Sequence, residues 1–179
     1  GRANGKALFV FDSNQATHFL LSDLTGQLFI IDAKTKGLEI IELTTVDKTS
    51  SFVELNIKDI EIDTLGKQSN NRETTQEIVD LGRLMIAADS LGAAQVMINK
   101  SVSYSKERKQ FGRVIGSFQA VKHMCAEMTA TIEPCYSLIW YAAHCMNHIP
   151  DESSLMSSHS KAHVSEVASS IAKTATEVH

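Results

Sequence analysis

Hydrophobic and polar positions divide this chain into two parts with different periods. In the first part, short apolar runs alternate with turn-forming residues such as Thr25-Gly26. In the last of these runs Val53, Leu55 and Ile57 alternate with polar neighbours, which is the period of a strand with one face in water. The predicted strands cover residues 7–11, 18–21, 27–31, 38–43 and 52–62. Because the connections are too short for crossovers, we expect antiparallel pairing in a sheet or partial barrel.

Helical periods follow a polar stretch at residues 65–72, which predicts a linker that ends in a helix N-cap. A first helix is predicted over residues 73–108, and its wide apolar stripe indicates burial on several sides. A second helix is predicted over residues 117–147, with a kink at Pro134. A connection over residues 148–153, which contains Pro150, is predicted to lead into a third helix that extends to Val178.

The fold class predicted from these patterns is α+β. An antiparallel β-sheet or partial barrel segment, residues 1–69, is followed by an antiparallel α-helical bundle, residues 70–179. The chain begins without methionine and ends at His179 without a helix-stopping signal. We therefore expect it to be an excerpt of a longer protein, with the bundle domain truncated.

Composition narrows the class of protein. With 179 residues and 43% hydrophobic content, the chain can bury a substantial core. A net charge of -4 gives no general basic surface, so nucleic acid is not an expected partner. No apolar run approaches the length of a membrane span and no signal segment opens the chain, so no membrane association is expected. We expect a cytoplasmic protein, or a mitochondrial matrix protein if the source is eukaryotic.

Cysteines and histidines are expected to be structural. Cys125, Cys135 and Cys145 are odd in number and lie in helical pattern without Cys-x-x-Cys spacing, which predicts reduced core thiols. Two histidine pairs have a four-residue spacing that could bind a metal, but no third ligand accompanies them. The pairs are His144 with His148 and His159 with His163. No metal site is predicted.

Cationic side chains gather where the first helix ends. Arg108 and Lys109 carry positive charge there, and Gly112, after Phe111, supplies the backbone freedom for a sharp exit. Ser117 is predicted to cap the second helix, which would leave amide groups free to bind phosphate. The neutral donors nearby are Gln110 and Gln119. On charge and spacing alone, such cations more commonly complement the carboxyl end of the helix dipole, and both interpretations stay open.

The same corner has the sequence pattern of a known family. Its residues are Arg108-x-x-Phe111-Gly112, Ile115, Phe118-Gln119 and Met128. This pattern resembles the helical domain of the acyl-CoA dehydrogenase family of flavoproteins, and the resemblance runs from about Gly5 to His179. It implies that the diphosphate end of FAD, commonly that of a neighbouring subunit, is bound at this corner. The residues implied for FAD binding are Arg108, Lys109, Gln110 and Phe111, with Phe118 and Gln119 at the adenosine part.

The first strand resembles the middle β-domain of the same family. Gly5-Lys6-Ala7-Leu8-Phe9-Val10-Phe11 and Gly37-Leu38-Glu39-Ile40 stand in place of two family motifs. The resemblance implies that Phe9, Val10 and Phe11 line the flavin ring. Phe11 stands where the family has a threonine and lacks its hydroxyl. From the residues alone, Phe9 and Phe11 could equally lie on one face of an ordinary strand.

Within the first helix, Asp80-Leu81-Gly82-Arg83 resembles the family segment that faces acyl-CoA. The resemblance implies substrate contact by Asp80 and Arg83. Some members place their catalytic glutamate at the position of Gly82, so no base is expected there. The base glutamate is expected beyond His179, and this chain alone is expected to be inactive.

For the intact protein, the resemblance implies an oxidoreductase of fatty acid metabolism. It would oxidise an acyl-CoA to a trans-2-enoyl-CoA with FAD as cofactor and an electron-transfer flavoprotein or similar acceptor as partner. A homo-oligomer, dimer or tetramer, or a hetero-oligomer is expected.

Two alternatives remain open. Phe11, Gly82 and Glu177 replace a hydroxyl, a base and a glutamine of the family, which favours a non-catalytic subunit of a hetero-oligomeric dehydrogenase. A helical interaction module without a cofactor would instead be colourless and bind no flavin.

Overall fold

The computed structural model of the protein describes residues 1–11, 13–66 and 71–179. They form two compact units, Gly1–Thr75 and Gln76–His179, each considered by itself. Of the predicted linker at residues 65–72, residues 67–70 lie outside the described part of the chain.

The described residues of the first unit form five strands. They are β1 (Arg2–Phe11), β2 (His18–Ser22), β3 (Leu28–Asp32), β4 (Leu38–Glu42) and β5 (Phe52–Glu61). β5 lies between β1 and β4 and pairs antiparallel with both, while β2 and β3 form a separate antiparallel hairpin. All five predicted strands are present, and β1 begins earlier than predicted.

The core of the first unit lies on one face of β5. Val53, Leu55 and Ile57 are buried, which confirms the one-sided strand predicted from their alternation with polar residues. Ile57 packs in a buried cluster with Phe29 and Ile31 of β3. The hairpin and the three-stranded sheet therefore share buried apolar surface.

Three helices account for most of the remaining chain. They are α1 (Asn71–Glu107), α2 (Gln119–His148) and α3 (Pro150–Val178). The Ser160 hydroxyl of α3 donates a 3.4 Å hydrogen bond to the Leu138 carbonyl of α2. These residues are equally far from Ile149, the single residue between the two helices, so α2 and α3 pack antiparallel. The predicted α+β class, with an antiparallel sheet followed by a helical bundle, is confirmed.

Burial along α1 follows a strict repeat. Its buried residues recur at alternating intervals of four and three, the 3.5-residue period of helices that pack side by side. They are Asp80, Leu84, Ala87, Leu91, Ala94, Ile98, Ser101 and Ser105. Four of the apolar members join Met128 and Ile132 of α2 and Val164 and Ile171 of α3 in one core cluster; they are Ala87, Leu91, Ala94 and Ile98.

Both prolines of the chain lie in helices. Pro150 is the first residue of α3, so the prediction that it lies in a longer connection is wrong. The first helical position needs no N–H donor, which makes proline favourable there. α2 continues through Pro134, and the predicted kink at that residue stays a prediction.

α1 is also notable for its apolar length. Among the described residues, Arg72–Glu107 is long and apolar enough to cross a membrane, judged by length and composition only. This differs from the expectation from sequence, because the stretch mixes large apolar residues with alanine and glycine instead of forming one continuous run. The buried face of the same helix packs in the bundle core.

The three cysteines are free thiols, as predicted. Cys135 and Cys145 are buried, whereas Cys125 is half-buried. Burial raises the pKa of the Cys125 thiol, and a hydrogen bond with Ser105 partly opposes that rise. The thiol form of Cys125 is therefore favoured at neutral pH.

Candidate functional site: the cationic corner

The corner after α1 is a small β-hairpin. β6 (Lys109–Gln110) pairs antiparallel with β7 (Arg113–Val114), and Phe111 and Gly112 form the two-residue turn between them. Both turn residues have positive φ, 53° at Phe111 and 76° at Gly112. This is the signature of a type I′ turn, whose twist matches that of the strands it connects. The sequence predicted the break but not the ladder that follows it.

Phe111 occupies a conformation that its residue type disfavours. Glycine, asparagine and aspartate are the usual residues at positive φ, and another residue there costs roughly 1–3 kcal/mol. The Phe111 side chain is 90% exposed, so burial offsets little of this cost. A strained and exposed aromatic residue at a hairpin tip is the kind of feature that ligand-binding sites retain.

A short 3-10 helix, Ile115–Ser117, leads from the hairpin into α2. The Ser117 hydroxyl donates to the Val114 carbonyl at 2.7 Å, and Phe118 is the N-cap of α2 without a side-chain cap. The predicted cap at Ser117 is wrong, because its hydroxyl is engaged inside the 3-10 helix. The first turn of α2 thus begins without a side-chain acceptor from its N-cap.

Gly116 brings this connection onto the end of α1. A Cβ on Gly116 would lie 2.8 Å from the Ser105 carbonyl oxygen, closer than side chains tolerate. Beside this contact lies a cavity of about 490 Å³. It is lined by Val102, Ser105, Lys106, Val114, Gly116, Ser117, Val121, Lys122 and Cys125. Any side chain larger than hydrogen at residue 116 would push the hairpin away from α1.

Positive charge gathers at the corner. Residues 104–123 contain a single acidic residue, Glu107. Within the described part of the chain, no cation of this stretch takes part in an ion pair. The cations are Lys106, Arg108, Lys109, Arg113 and Lys122, all of them exposed. Lys106 lies in the last turn of α1, but Lys109 and Arg113 lie on the hairpin, where the helix dipole does not explain them.

Aromatic and guanidinium groups stack at the same place. The Arg113 guanidinium carbon lies 4.0 Å from the centroid of the Phe118 ring. Phe111 meets Phe118 edge to face, with ring centroids 6.1 Å apart. Gln119 is exposed at the start of α2, with its amide nitrogen 3.4 Å from a ring nitrogen of His123. Sequence reasoning missed Arg113, whose only signal was a cation directly after the Phe111-Gly112 turn.

The hairpin brings most of the predicted cofactor residues of the bundle together. The Ile115 N–H donates to the Arg108 carbonyl at 2.8 Å, which closes the corner behind the ladder. Arg108, Lys109, Gln110 and Phe111 therefore share one exposed projection, with Phe118 at its base.

The predicted flavin-ring residues lie in the first unit, on β1. Ala7 pairs with Leu55 and Val10 pairs with Val53, so two residues of β1 face one residue of β5. This is a β-bulge, and Phe9 within it has a φ of 56°. Phe9 and Phe11 are 68% and 64% exposed, and the Phe11 ring centroid lies 5.4 Å from that of Phe52. The alternative that Phe9 and Phe11 lie on one face of an ordinary strand is therefore wrong, because the bulge interrupts the strand at Phe9.

Asp80 and Arg83 form an internal ion pair. The Asp80 carboxylate, 2% exposed, accepts hydrogen bonds from Arg83 Nη1 at 2.8 Å and from Gln76 Nε2 at 3.0 Å. The Arg83 side chain remains 38% exposed. Asp80 is therefore placed to hold the Arg83 guanidinium, and substrate contact by these two residues stays a prediction. Gly82 has no neighbour within 4 Å of its Cβ position.

The remaining candidate groups are possible metal ligands and Glu177. Over residues 1–11, 13–66 and 71–179, no group of three or more His, Cys, Asp or Glu side chains could hold a metal ion. The rings of His144 and His148 contact each other at a tilt of 34°, with centroids 4.5 Å apart. Glu177 is exposed near the end of α3.

Comparisons with known proteins assign the chain to a family. The family model for the C-terminal domain of acyl-CoA dehydrogenase matches residues 72–179. The chain belongs to the acyl-CoA dehydrogenase family, as its sequence pattern implied.

Relatives of known sequence agree with this assignment. The short-chain-specific acyl-CoA dehydrogenase of Clostridium acetobutylicum is 32% identical over 154 residues, covering 79% of this chain and 41% of that protein. The caffeyl-CoA reductase-Etf complex subunit CarC of Acetobacterium woodii is 30% identical over 156 residues, covering 84% of this chain and 41% of that protein.

Solved structures share the fold across both units. Butyryl-CoA dehydrogenase from Megasphaera elsdenii has a TM-score of 0.87 and 25% identity, covering 99% of this chain and 49% of that one. A chain from work on the electron transferring flavoprotein of Acidaminococcus fermentans has a TM-score of 0.88 and 29% identity, covering 98% and 49%. This chain spans less than half the length of these relatives.

Proposed function

We propose that this chain forms part of an FAD-dependent acyl-CoA dehydrogenase, an oxidoreductase that converts an acyl-CoA to a trans-2-enoyl-CoA. The observation that supports it is the cationic corner, which lies in the region matched by the family model. Its cations are exposed and have no ion-pair partner among the described residues. The chain as a whole has a net charge of -4 and does not attract anions generally. Unpaired cations gathered at one place therefore favour a specific anion-binding site.

The donor set of the corner fits the diphosphate end of a dinucleotide. Arg108 and Lys109 supply charge-assisted donors, and the Gln110 amide adds a neutral one. The exposed rings of Phe9 and Phe11 on β1 offer an apolar surface of the kind that a flavin ring contacts. FAD, when bound, would accept the hydride removed from the β-carbon of the acyl chain.

Residues of the chain would position the substrate, and none would act as its base. Arg83 keeps exposed guanidinium surface while Asp80 fixes its orientation, so Arg83 is the better candidate for contact with an anionic part of acyl-CoA. The base glutamate is proposed to lie beyond His179. An electron-transfer flavoprotein is proposed as acceptor, supported by relatives whose names include an Etf complex subunit and an electron transferring flavoprotein. Assembly as an oligomer and a cytoplasmic or mitochondrial location stay predictions.

The test is FAD binding by Arg108→Ala in the full-length protein, with Lys173→Ala on α3 as a matched surface control. Charge-assisted hydrogen bonds contribute about 1.5–3 kcal/mol, so the affinity of Arg108→Ala for FAD should fall about 10- to 100-fold. Lys173→Ala should bind as the wild type does. A wild-type protein that binds no FAD, or an Arg108→Ala variant that binds it unchanged, would contradict the proposal.

A non-catalytic subunit of a hetero-oligomeric dehydrogenase is the second candidate. Phe11 contacts Phe52 and offers no hydroxyl, and Glu177 presents a carboxylate where the family has a glutamine. Anaerobic addition of acyl-CoA separates the two proposals. Bleaching of the bound FAD spectrum supports the enzyme, whereas a protein that binds no FAD, or whose bound FAD no acyl-CoA reduces, supports the non-catalytic subunit.

A further inference from the structure

Arg113 is held in a defined position at the corner. Its guanidinium carbon lies 4.0 Å from the centroid of the Phe118 ring, within the range of a cation–π contact. Phe118 is itself fixed, since its N–H donates to the Ile115 carbonyl at 3.0 Å and its ring is half-buried. The stack therefore orients a planar cation on a rigid base.

Apart from its contact with Phe118, the Arg113 guanidinium is available to a ligand. Arg113 is exposed, and within the described residues its side chain makes neither a hydrogen bond nor an ion pair. One face of the Phe118 ring is covered by Arg113, and Phe111 approaches Phe118 edge to face. A flat ligand that approaches the covered side of Phe118 therefore meets the guanidinium of Arg113 and not the ring.

The hairpin places two more groups beside this surface. Gln110 and Arg113 are directly opposite each other in the ladder, and opposite residues project from the same face of a strand pair. The Gln110 amide can thus donate and accept at the edge of a ring stacked on Arg113. Arg108 lies at the base of the same hairpin, and its exposed cationic side chain can bind phosphates of the same ligand.

We infer that the adenine ring of FAD stacks on the exposed face of the Arg113 guanidinium, giving a three-layer stack of adenine, Arg113 and Phe118. This inference rests on the proposed function and assigns Arg113 as a further cofactor-binding residue. Guanidinium planes stack on aromatic rings, and every base offers a flat face for such stacking. Phe118 then acts through Arg113, as a positioning residue, instead of touching the base on that side.

The experiment compares ADP with inorganic pyrophosphate as probes in the full-length protein. Arg113→Lys keeps the charge and removes the planar group, whereas Arg113→Gln removes both. The affinity of Arg113→Lys for ADP and FAD should fall about 3- to 30-fold, the range of a cation–π or stacking contact, while its affinity for pyrophosphate stays within about 2-fold. Lys106→Gln removes a nearby charge without touching the stack, and it should change the affinities for ADP and pyrophosphate by the same factor.

The outcomes separate the stack from the wider proposal. Wild-type ADP affinity in Arg113→Lys would overturn the stack, because charge alone would then suffice. Equal losses for ADP and pyrophosphate in Arg113→Gln, with no loss in Arg113→Lys, would overturn it in the same way. Wild-type FAD affinity in Arg108→Ala would instead overturn the proposed cofactor site. Unfolding midpoints of all variants show whether a loss comes from the site or from the fold.

Discussion

The Cβ position of Gly116 lies 2.8 Å from the main-chain carbonyl oxygen of Ser105. Because main chain cannot rotate away as a side chain can, we expect Gly116→Ala to destabilise the protein by about 1–3 kcal/mol. It should also weaken FAD binding, since the hairpin would be displaced from α1. Urea unfolding and FAD titration measure the two effects.

Gly82→Ala is the matched control for this contact. Gly82 lies inside α1 and has no atom within 4 Å of its Cβ position. Alanine there removes the helix penalty of glycine, so stability should rise by about 0.5–1 kcal/mol. If both alanine variants were equally destabilised, the close approach at Gly116 would not be the cause of its effect.

Relief of strain at the hairpin tip should raise the stability of the protein and lower its affinity for FAD. Phe111 has a φ of 53° in a type I′ turn, and asparagine is favoured at this position. We expect Phe111→Asn to raise the free energy of unfolding by about 1 kcal/mol. FAD affinity should fall in the same variant, because the exposed ring is lost. A variant that gains no stability would contradict the assignment of strain to Phe111.

A hydrogen bond between α2 and α3 should make the stability of the protein depend on pH in the alkaline range. Tyr141 donates a 2.8 Å hydrogen bond to Glu152, and this bond, with smaller contributions from Cys145, raises the pKa of Tyr141 to about 12. Because the pKa of Tyr141 is higher in the folded than in the unfolded protein, the stabilisation by this hydrogen bond is complete below the unfolded pKa, about 10. It is lost as the pH rises through the folded pKa.

Tyr141→Phe tests this directly. The wild type should be more stable than the variant by a constant amount below pH 10, and the difference should shrink between pH 10 and about 12. Denaturant unfolding of both proteins across that range gives the difference. Glu152→Gln, which removes the charge, should move the loss of stability to lower pH. If the stability difference between the wild type and Tyr141→Phe did not change with pH, the hydrogen bond from Tyr141 to Glu152 would not be its cause.

The buried carboxylate of α1 should matter for stability. Asp80 is 2% exposed and accepts hydrogen bonds from Arg83 and Gln76. Removal of hydrogen bonds to a buried charged group costs about 2–3 kcal/mol, which is the loss expected for Asp80→Ala. Asp89→Ala, an exposed position on the same helix, should change stability by less than about 0.5 kcal/mol. Equal effects at both positions would contradict the role of the buried pair.

Local sequence patterns predicted the elements well, because period and turn chemistry act over a few residues. The alternation at Val53 and Leu55 placed β5 and its buried face. The glycine after Phe111 placed the break between α1 and α2. The N-cap was placed wrongly at Ser117, because a serine can cap a helix or bond within a preceding turn, and only packing decides between them.

By itself, the sequence determined the order of β1 to β5 and of the three helices, the cationic corner and the family pattern around Arg108. The tertiary structure decided which groups meet. It placed Arg113 over Phe118, put Phe9 in a bulge, and buried the Asp80 carboxylate. The physical reason is that periodicity fixes which way a residue faces on its own element, whereas a stack, a bulge or the burial of a carboxylate depends on the register and approach of a second segment.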